Sequence, residues 1–86
     1  MAKATGKGNA KEENVADIMK KVGKRIRALR MAQGHTSHET FAYENDINRA
    51  QYSRYERGED LRLTTLIKVL QGFDITLGEF FGEGFE

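Results

Sequence analysis

Residues 46–58 read DINRAQYSRYERG, and this stretch constrains the fold more than any other part of the 86-residue chain. Asn48 is a good N-cap, because its side-chain oxygen accepts a backbone N–H of the first helical turn. Gly58 is a good helix end, because glycine adopts the left-handed conformation at little cost. Between these two residues the sequence predicts one short helix of about two and a half turns.

The two faces of this short helix differ in chemistry. Tyr52 and Tyr55 are three residues apart, so they share one face and predict an aromatic anchor. The other side chains include arginine, glutamine and serine and suit the major groove of DNA. There, arginine binds guanine O6 and N7 with two hydrogen bonds, and glutamine does the same for adenine. Taken alone, the segment fits an ordinary surface helix with solvated arginines equally well.

Size and composition exclude several classes of protein. Eighty-six residues form one small domain, and without cysteine there is neither a disulfide framework nor a thiolate metal site. His35 and His38 are three residues apart but have no third ligand nearby, so we expect no metal and no cofactor. No apolar run approaches the length of a membrane span, and no signal-peptide core is present. We therefore expect a cytoplasmic protein without a membrane partner.

The net charge of +1 is unevenly distributed along the chain. Residues 14–35 contain six lysine and arginine side chains against one aspartate, whereas residues 59–86 contain two basic side chains against six acidic ones. The first region can therefore approach phosphate groups, and the second repels them.

Capping residues and apolar spacings of three and four predict an all-α domain over residues 14–82. Its five helices are expected at about 14–33, 37–45, 49–57, 64–72 and 77–81. Residues 1–13 hold little that can be buried, so we expect a disordered N-terminal tail. We expect residues 83–86 to form a frayed C-terminus.

Individual residues predict further details of the helices. Gly23 interrupts the first helix at a cost of up to ~1 kcal/mol relative to alanine, which indicates a close packing contact. Thr64 or Thr65 is expected to begin the fourth helix. Thr76 is expected to cap the fifth, with Glu79 completing a capping box.

A helix, a tight turn and a second helix follow one another in the middle of the chain. Thr36 and Glu39 match a capping box at the start of the first of these helices, and Ser37 is an equally good cap one residue later. Asn45 and Asp46 break that helix, because both tolerate the left-handed region better than most residues. This order predicts a helix-turn-helix.

The pattern resembles the phage-repressor (Cro/CI, or XRE) helix-turn-helix family over residues 20–81. The matching segments are 22–30, 41–42, 47–58, 66–70 and 75–81. The Ser-Arg-Tyr-Glu-Arg-Gly end of segment 47–58, with apolar residues correctly spaced on both sides, is a specific signal. The resemblance implies a five-helix, lambda-repressor-like fold that binds double-stranded DNA.

By position, the resemblance implies that helix 37–45 lies across the DNA backbone and that helix 49–57 enters the major groove. The residues implied to read bases are Arg49, Ala50, Gln51 and Arg54. The residues implied to contact the DNA backbone are Ser37, His38, Asn48, Tyr52, Ser53 and Arg57. Tyr52 holds a core position, so only its hydroxyl could reach a phosphate. Arg30 and Glu56 match a pair that family members bury, which predicts an ion pair between the first helix and the recognition helix.

The sequence departs from the family pattern in several places. His38 replaces the usual glutamine at the start of the second helix and can donate to a phosphate only in a suitable tautomer or charge state; an exposed histidine without a role is the alternative. Asp46 replaces the usual turn glycine. Glu59 and Asp60 stand where the family often places basic residues. Their charges should repel the DNA backbone and weaken binding unless they face away.

Together these features predict a regulator of bacterial or phage type that occupies an operator on the nucleoid and represses transcription. One short recognition helix reads only a few base pairs. We therefore expect a homodimer on two half-sites one turn, or ~34 Å, apart. A place in the hydrophobic core is the alternative for each of the candidate dimer residues, which are Leu61, Leu63, Phe80, Phe81 and Phe85.

Two other classes of function compete with DNA recognition. A protein-interaction module, such as the antitoxin that binds a toxin partner, would use the same fold and fits the acidic C-terminal third. An enzyme lacks support, because Ser37, Ser53, His35 and His38 form no order of nucleophile, base and orienting group. We therefore expect no catalytic residues.

Overall fold

The computed structural model describes residues 13–85, and α-helices account for most of them. The helices are α1 (Val15–Ala32), α2 (His38–Glu44), α3 (Arg49–Glu56), α4 (Leu63–Phe73) and α5 (Leu77–Phe81). No strand occurs between residues 13 and 85, and the predicted all-α, five-helix fold is confirmed. The predicted tail 1–13, apart from Glu13, and the terminal Glu86 lie outside the described residues.

Helix α1 begins and ends at residues that the sequence marks. Asn14 is the N-cap, and its Oδ1 accepts the backbone N–H of Asp17 at 3.2 Å. Val22 and Ile26 are buried on the inner face. Gly34 follows the helix in the left-handed conformation, with φ of 85°, and so ends it.

Helix α1 crosses the end of α3 at Gly23. An ideal Cβ at this position would lie 2.6 Å from the carbonyl oxygen of Glu56 and 2.7 Å from the backbone nitrogen of Gly58. Both distances are shorter than van der Waals contact allows, so only glycine fits here. The close packing contact predicted at Gly23 is confirmed, and it fixes the C-terminal end of α3 against α1.

Helix α2 begins one residue later than its capping-box pattern predicts. Ser37 is the N-cap, and its Oγ accepts the backbone N–H of Thr40 at 3.2 Å. Ser37 keeps an extended backbone, with φ of −113° and ψ of 121°, so the helix cannot start before it. The capping box predicted for Thr36 and Glu39 is therefore wrong, and the alternative cap is used.

The turn between α2 and α3 is held by side chains from two helices. Asp46 adopts the left-handed conformation, with φ of 57°, which aspartate tolerates better than most residues. Asn45 Nδ2 donates to the carbonyl of Phe41 at 2.9 Å, and Lys68 Nζ of α4 donates to the carbonyl of Asp46 at 2.8 Å. The angle between α2 and α3 is therefore stabilised from outside the motif as well as within it.

Helix α4 begins at Leu63, so the start predicted at Thr64 or Thr65 is wrong. Arg62 is the last extended residue, with φ of −74° and ψ of 150°, and no side chain caps this end of the helix. Both threonines therefore lie inside the first turn. The helix ends at Phe73, and its C-cap Asp74 is in the left-handed conformation with φ of 59°.

Helix α5 is capped at one end and bound to α1 at the other. The predicted capping box is present, because the N–H of Thr76 donates to Glu79 Oε1 at 2.8 Å and the N–H of Glu79 donates to Thr76 Oγ1 at 3.1 Å. Arg25 of α1 donates from Nε to the carbonyl of Phe80 at 3.1 Å and from Nη2 to the carbonyl of Glu79 at 3.2 Å. The two contacts fix the short helix on the domain.

The segment after α5 differs from the frayed end predicted for residues 83–86. Phe85 is half-buried, and its ring centroid lies 5.8 Å from that of Phe80 and 4.9 Å from that of Phe81. Burial of the aromatic ring of Phe85 holds the segment after α5 against the domain.

The hydrophobic core joins all five helices around Phe41 of α2. Its ring stacks on Phe73 of α4, with centroids 4.5 Å apart, and lies 5.2 Å from the ring of Tyr52 of α3. Each large apolar side chain buried in this way stabilises the fold by about 1.5–3 kcal/mol. The core side chains are Val22, Ile26, Phe41, Ala42, Tyr52, Tyr55, Leu66, Val69, Leu70, Phe73 and Phe80.

Candidate nucleic-acid interface

Helix α3 is anchored by its inner face, as the tyrosine spacing predicts. Tyr52 is completely buried, and Tyr55 retains only 8% of its exposure. The hydroxyl of Tyr52 is buried with the ring and makes no hydrogen bond of standard geometry within residues 13–85. The contact predicted between Tyr52 and the DNA backbone is therefore wrong, because this hydroxyl points into the protein.

Arg30 and Glu56 form the ion pair that the resemblance implies. Nε of Arg30 donates to Glu56 Oε2 at 2.6 Å and Nη2 donates to Oε1 at 3.1 Å, so the pair is bidentate. The side chains of Arg30 and Glu56 are 5% and 10% exposed. Nη1 of Arg30 donates to the carbonyl of His35 at 2.7 Å. One arginine therefore ties α1, the α1–α2 loop and α3 together.

The ion pair and Tyr52 form one buried polar cluster. The hydrogen bonds that Arg30 donates to the Glu56 carboxylate raise the pKa of Arg30 above its usual value, so the guanidinium stays charged. Burial raises the pKa of Tyr52 far above its usual value, and the Glu56 carboxylate adds to this shift. The tyrosine is therefore neutral, and Arg30 and Glu56 carry the charges of the cluster.

The outer face of α3 carries the residues predicted to read bases. At about 100° per residue, Ala50, Arg54 and Arg57 lie opposite the two buried tyrosines. Arg49 and Gln51 flank this face on its two sides. All five side chains are exposed, and Arg49, at 73%, is more exposed than Arg54 or Arg57.

The two flanks of α3 border different surroundings. Arg49 lies beside α2, where its Nη1 is 3.5 Å from Glu39 Oε2. Gln51 lies on the opposite flank, at an open cavity of about 460 Å³ between α3 and the segment that leads into α4. The lining residues are Gln51, Tyr55, Asp60, Leu61, Arg62 and Thr65.

The residues predicted to contact the DNA backbone are distributed over both helices. Ser37 and His38 are half-buried at the start of α2, and Asn48 is exposed at the start of α3, where its Oδ1 accepts the N–H of Gln51 at 3.0 Å. Arg57 Nη1 donates to Ser53 Oγ at 2.9 Å at the other end of α3. Except for Tyr52, the structure therefore brings the predicted DNA-contact residues to the surface of α2 and α3.

Two carboxylates beside the arginines have positions that the sequence reasoning missed. Glu59 lies with Oε1 4.0 Å from Arg54 Nε and Oε2 3.5 Å from Arg57 Nη2. Glu39, predicted as a capping residue, instead contacts Arg49. The position of Glu59 could have been predicted from Gly58. The residue after a glycine that ends a helix in the left-handed conformation folds back onto the last helical turn.

The fold, with a short arginine-bearing helix presented by a helix-turn-helix, defines a DNA-binding regulator of transcription. Residues 26–80 match the HTH_3 family, described as Helix-turn-helix, so the chain belongs to this family, and the resemblance to XRE-type regulators is confirmed. Control protein C.MunI of Mycoplasma sp is 35% identical over 68 residues, which are 78% of this chain and 92% of that protein. No solved structure matches the chain.

Two further properties of the described region bear on function. No helix within residues 13–85 is long and apolar enough to cross a membrane. Over the same residues, no group of three or more histidine, aspartate or glutamate side chains is arranged to hold a metal ion.

Proposed function

We propose that the protein binds a specific double-stranded operator with α3 in the major groove and acts as a repressor. The observation that carries this proposal is the polarity of α3. Two buried tyrosines and the Arg30–Glu56 ion pair fix its inner face, while its arginines are exposed on the other sides. A rigid helix with exposed arginines meets the geometric need for reading base edges.

Each exposed position of α3 then has a chemical role. Arg49 and Arg54 bind guanine, which discriminates by about 1–3 kcal/mol for each good bidentate contact. Gln51 binds adenine from the flank nearer α4. Ala50 offers a methyl group to a thymine methyl, because it has no polar atom beyond the backbone.

The remaining contacts position the protein on the sugar–phosphate backbone. Ser37 and His38, at the start of α2, face one strand beside the groove. Asn48, Ser53 and Arg57 serve the same purpose from α3. Such contacts add affinity without sequence information, and they make binding sensitive to salt.

The proposed assembly is a homodimer, which covers promoter DNA in the bacterial cytoplasm and so blocks transcription. Exposed apolar side chains on α4 and α5 supply a surface for the second subunit. They are Leu63, Ile67, Leu77 and Phe81. Phe80, which the sequence also suggested, is completely buried and takes no part. A toxin or another protein partner on this surface is the competing proposal.

Selection of the purified protein on a random duplex library tests the proposal. We expect enrichment of a two-fold-symmetric site, and we expect the Arg49→Ala/Arg54→Ala variant to lose it. Lys21→Ala, which removes a positive charge beside the C-terminal residues Glu83 and Gly84 rather than on α3, is the control and should select the wild-type site.

The alternative outcomes are equally informative. A folded protein that enriches no duplex at low salt would rule out direct DNA reading and favour the partner-binding proposal. An enriched site without two-fold symmetry would contradict the proposed homodimer. A site that the double variant still selects would contradict the base-reading roles proposed for Arg49 and Arg54.

A further inference from the structure

The side chain of Glu59 is positioned by the way α3 ends. Gly58 adopts the left-handed conformation, with φ of 87°. Its N–H donates to the carbonyl of Tyr55 at 3.1 Å, and the N–H of Glu59 donates to the carbonyl of Arg54 at 3.0 Å. These two bonds define a Schellman motif, in which the residue after glycine folds back beside the residue five positions earlier. In this motif the side chains of these two residues frequently form an apolar contact. Here they are the oppositely charged Glu59 and Arg54.

The carboxylate of Glu59 faces two arginines with its two oxygens. Oε2 lies 3.5 Å from Arg57 Nη2, and the other terminal nitrogen of Arg57 donates to Ser53 Oγ. Oε1 lies 4.0 Å from Nε of Arg54. Within residues 13–85 this is the single ion pair of Arg54, and it leaves both terminal nitrogens of that side chain available.

We propose that Glu59 is a specificity-determining residue, which orients Arg54 for guanine and discourages contacts between these arginines and phosphate. The proposal rests on the proposed reading of the major groove by α3. From the sequence, the negative charge of Glu59 is expected only to weaken DNA binding, whereas the proposal gives this carboxylate a role in specificity.

The geometry explains why Glu59 affects the two kinds of DNA differently. At the operator, guanine O6 and N7 accept hydrogen bonds from the terminal nitrogens of Arg54, while Nε remains beside the carboxylate. On other DNA the available acceptors are phosphate oxygens, and a phosphate competes with Glu59 for Arg54 and Arg57. The anionic phosphate and carboxylate also repel each other. Glu59 therefore weakens non-specific binding more than operator binding.

The test compares Glu59→Gln with wild type on the selected operator and on a scrambled duplex, by fluorescence anisotropy at one salt concentration. Removal of one unit charge about 4 Å from a phosphate in water changes affinity about fivefold. We expect Glu59→Gln to bind the scrambled duplex about fivefold more tightly and the operator less than about twofold more tightly. The specificity ratio therefore falls.

Two controls separate orientation from net charge. Glu83→Gln makes the same charge change after α5, at an 80% exposed side chain that lies 3.9 Å from Arg25 of α1, and should leave the ratio unchanged. In an Arg54→Ala background, Glu59→Gln should lower the ratio less than it does in the wild-type background, because only the ion pair with Arg57 remains. Glu59 is about half exposed, so thermal melting should show each variant folded.

The outcomes distinguish this inference from the proposed function beneath it. If wild type selects an operator but Glu59→Gln raises both affinities equally, Glu59 acts only as a charge and the inference fails alone. A ratio that rises in Glu59→Gln overturns the inference in the same way. If wild type selects no duplex, the proposed function fails and the inference fails with it.

Discussion

Arg30 of α1 and Glu56 of α3 meet in a buried bidentate ion pair, with Nε and Oε2 2.6 Å apart. The pair joins α1 to the C-terminal end of α3, and its arginine also donates to the carbonyl of His35. The position of α3 therefore depends on two charges that have little access to water.

The first prediction concerns the loss of this pair. Arg30→Ala leaves the Glu56 carboxylate buried without its partner, and we expect the free energy of unfolding to fall by about 3–5 kcal/mol. Urea denaturation measures the change. Arg27→Ala, an exposed position on the same helix, should change stability by less than about 0.5 kcal/mol. Equal effects of the two substitutions would contradict a stabilising role for the buried pair.

The second prediction uses two glycines in different surroundings. Gly23→Ala places a methyl group 2.6–2.8 Å from backbone atoms of Tyr55, Glu56 and Gly58. We therefore expect the free energy of unfolding to fall by about 1–3 kcal/mol. At Gly78 in α5 the nearest atom would be 4.0 Å away, and Gly78→Ala should stabilise by up to about 1 kcal/mol through helix propensity. Thermal melting of both variants checks the opposite signs. A stable Gly23→Ala protein would mean that α1 and α3 separate easily.

The third prediction concerns the buried hydroxyl of Tyr52. Tyr52→Phe removes a polar group that makes no hydrogen bond of standard geometry, so unfolding free energy should stay constant or rise by up to about 1 kcal/mol. Operator affinity should not change, because the hydroxyl does not reach the surface. Tyr43→Phe, at an 86% exposed position of α2, is the control for stability. If Tyr52→Phe bound the operator more weakly than wild type, the result would support the contact between this hydroxyl and a phosphate, which the buried position contradicts.

The fourth prediction concerns the acid stability of α5. The backbone N–H of Thr76 donates to the Glu79 carboxylate and lowers the pKa of Glu79 below its ordinary value of 4.5. This stabilisation is complete above pH 4.5 and is lost as the pH falls through the lower folded pKa. Glu79→Gln should therefore lose less stability than wild type between pH 5 and 3. Melting temperatures measured across this range, with Glu44→Gln as control, test the difference; parallel curves for Glu79→Gln and wild type would refute it.

Local chemistry explains which parts of the fold the sequence predicts. Asn48 and Thr76 are identified as caps from the sequence, because capping depends on a few neighbouring residues. The choice between Thr36 and Ser37 depends on the path of the preceding loop, which Arg30 fixes from another helix through His35. Sequence spacing does not contain that contact.

The candidate site shows the same division between local and tertiary information. The inward tyrosines and outward arginines of α3 follow from helical periodicity. The hydroxyl of Tyr52 and the contact between Glu39 and Arg49 depend on how α1 and α2 pack against α3, and this packing exists only in the folded domain. Both were therefore beyond a reading of residue spacing.

The hydrogen bond from Lys68 to the carbonyl of Asp46 has a consequence for assembly. Lys68 belongs to α4, the helix that also exposes Leu63 and Ile67. A second subunit seated on those two side chains would press on the same helix that holds the α2–α3 turn. The spacing of two operator half-sites and the tilt of each recognition helix would then be set together, so that a change in one would alter the other.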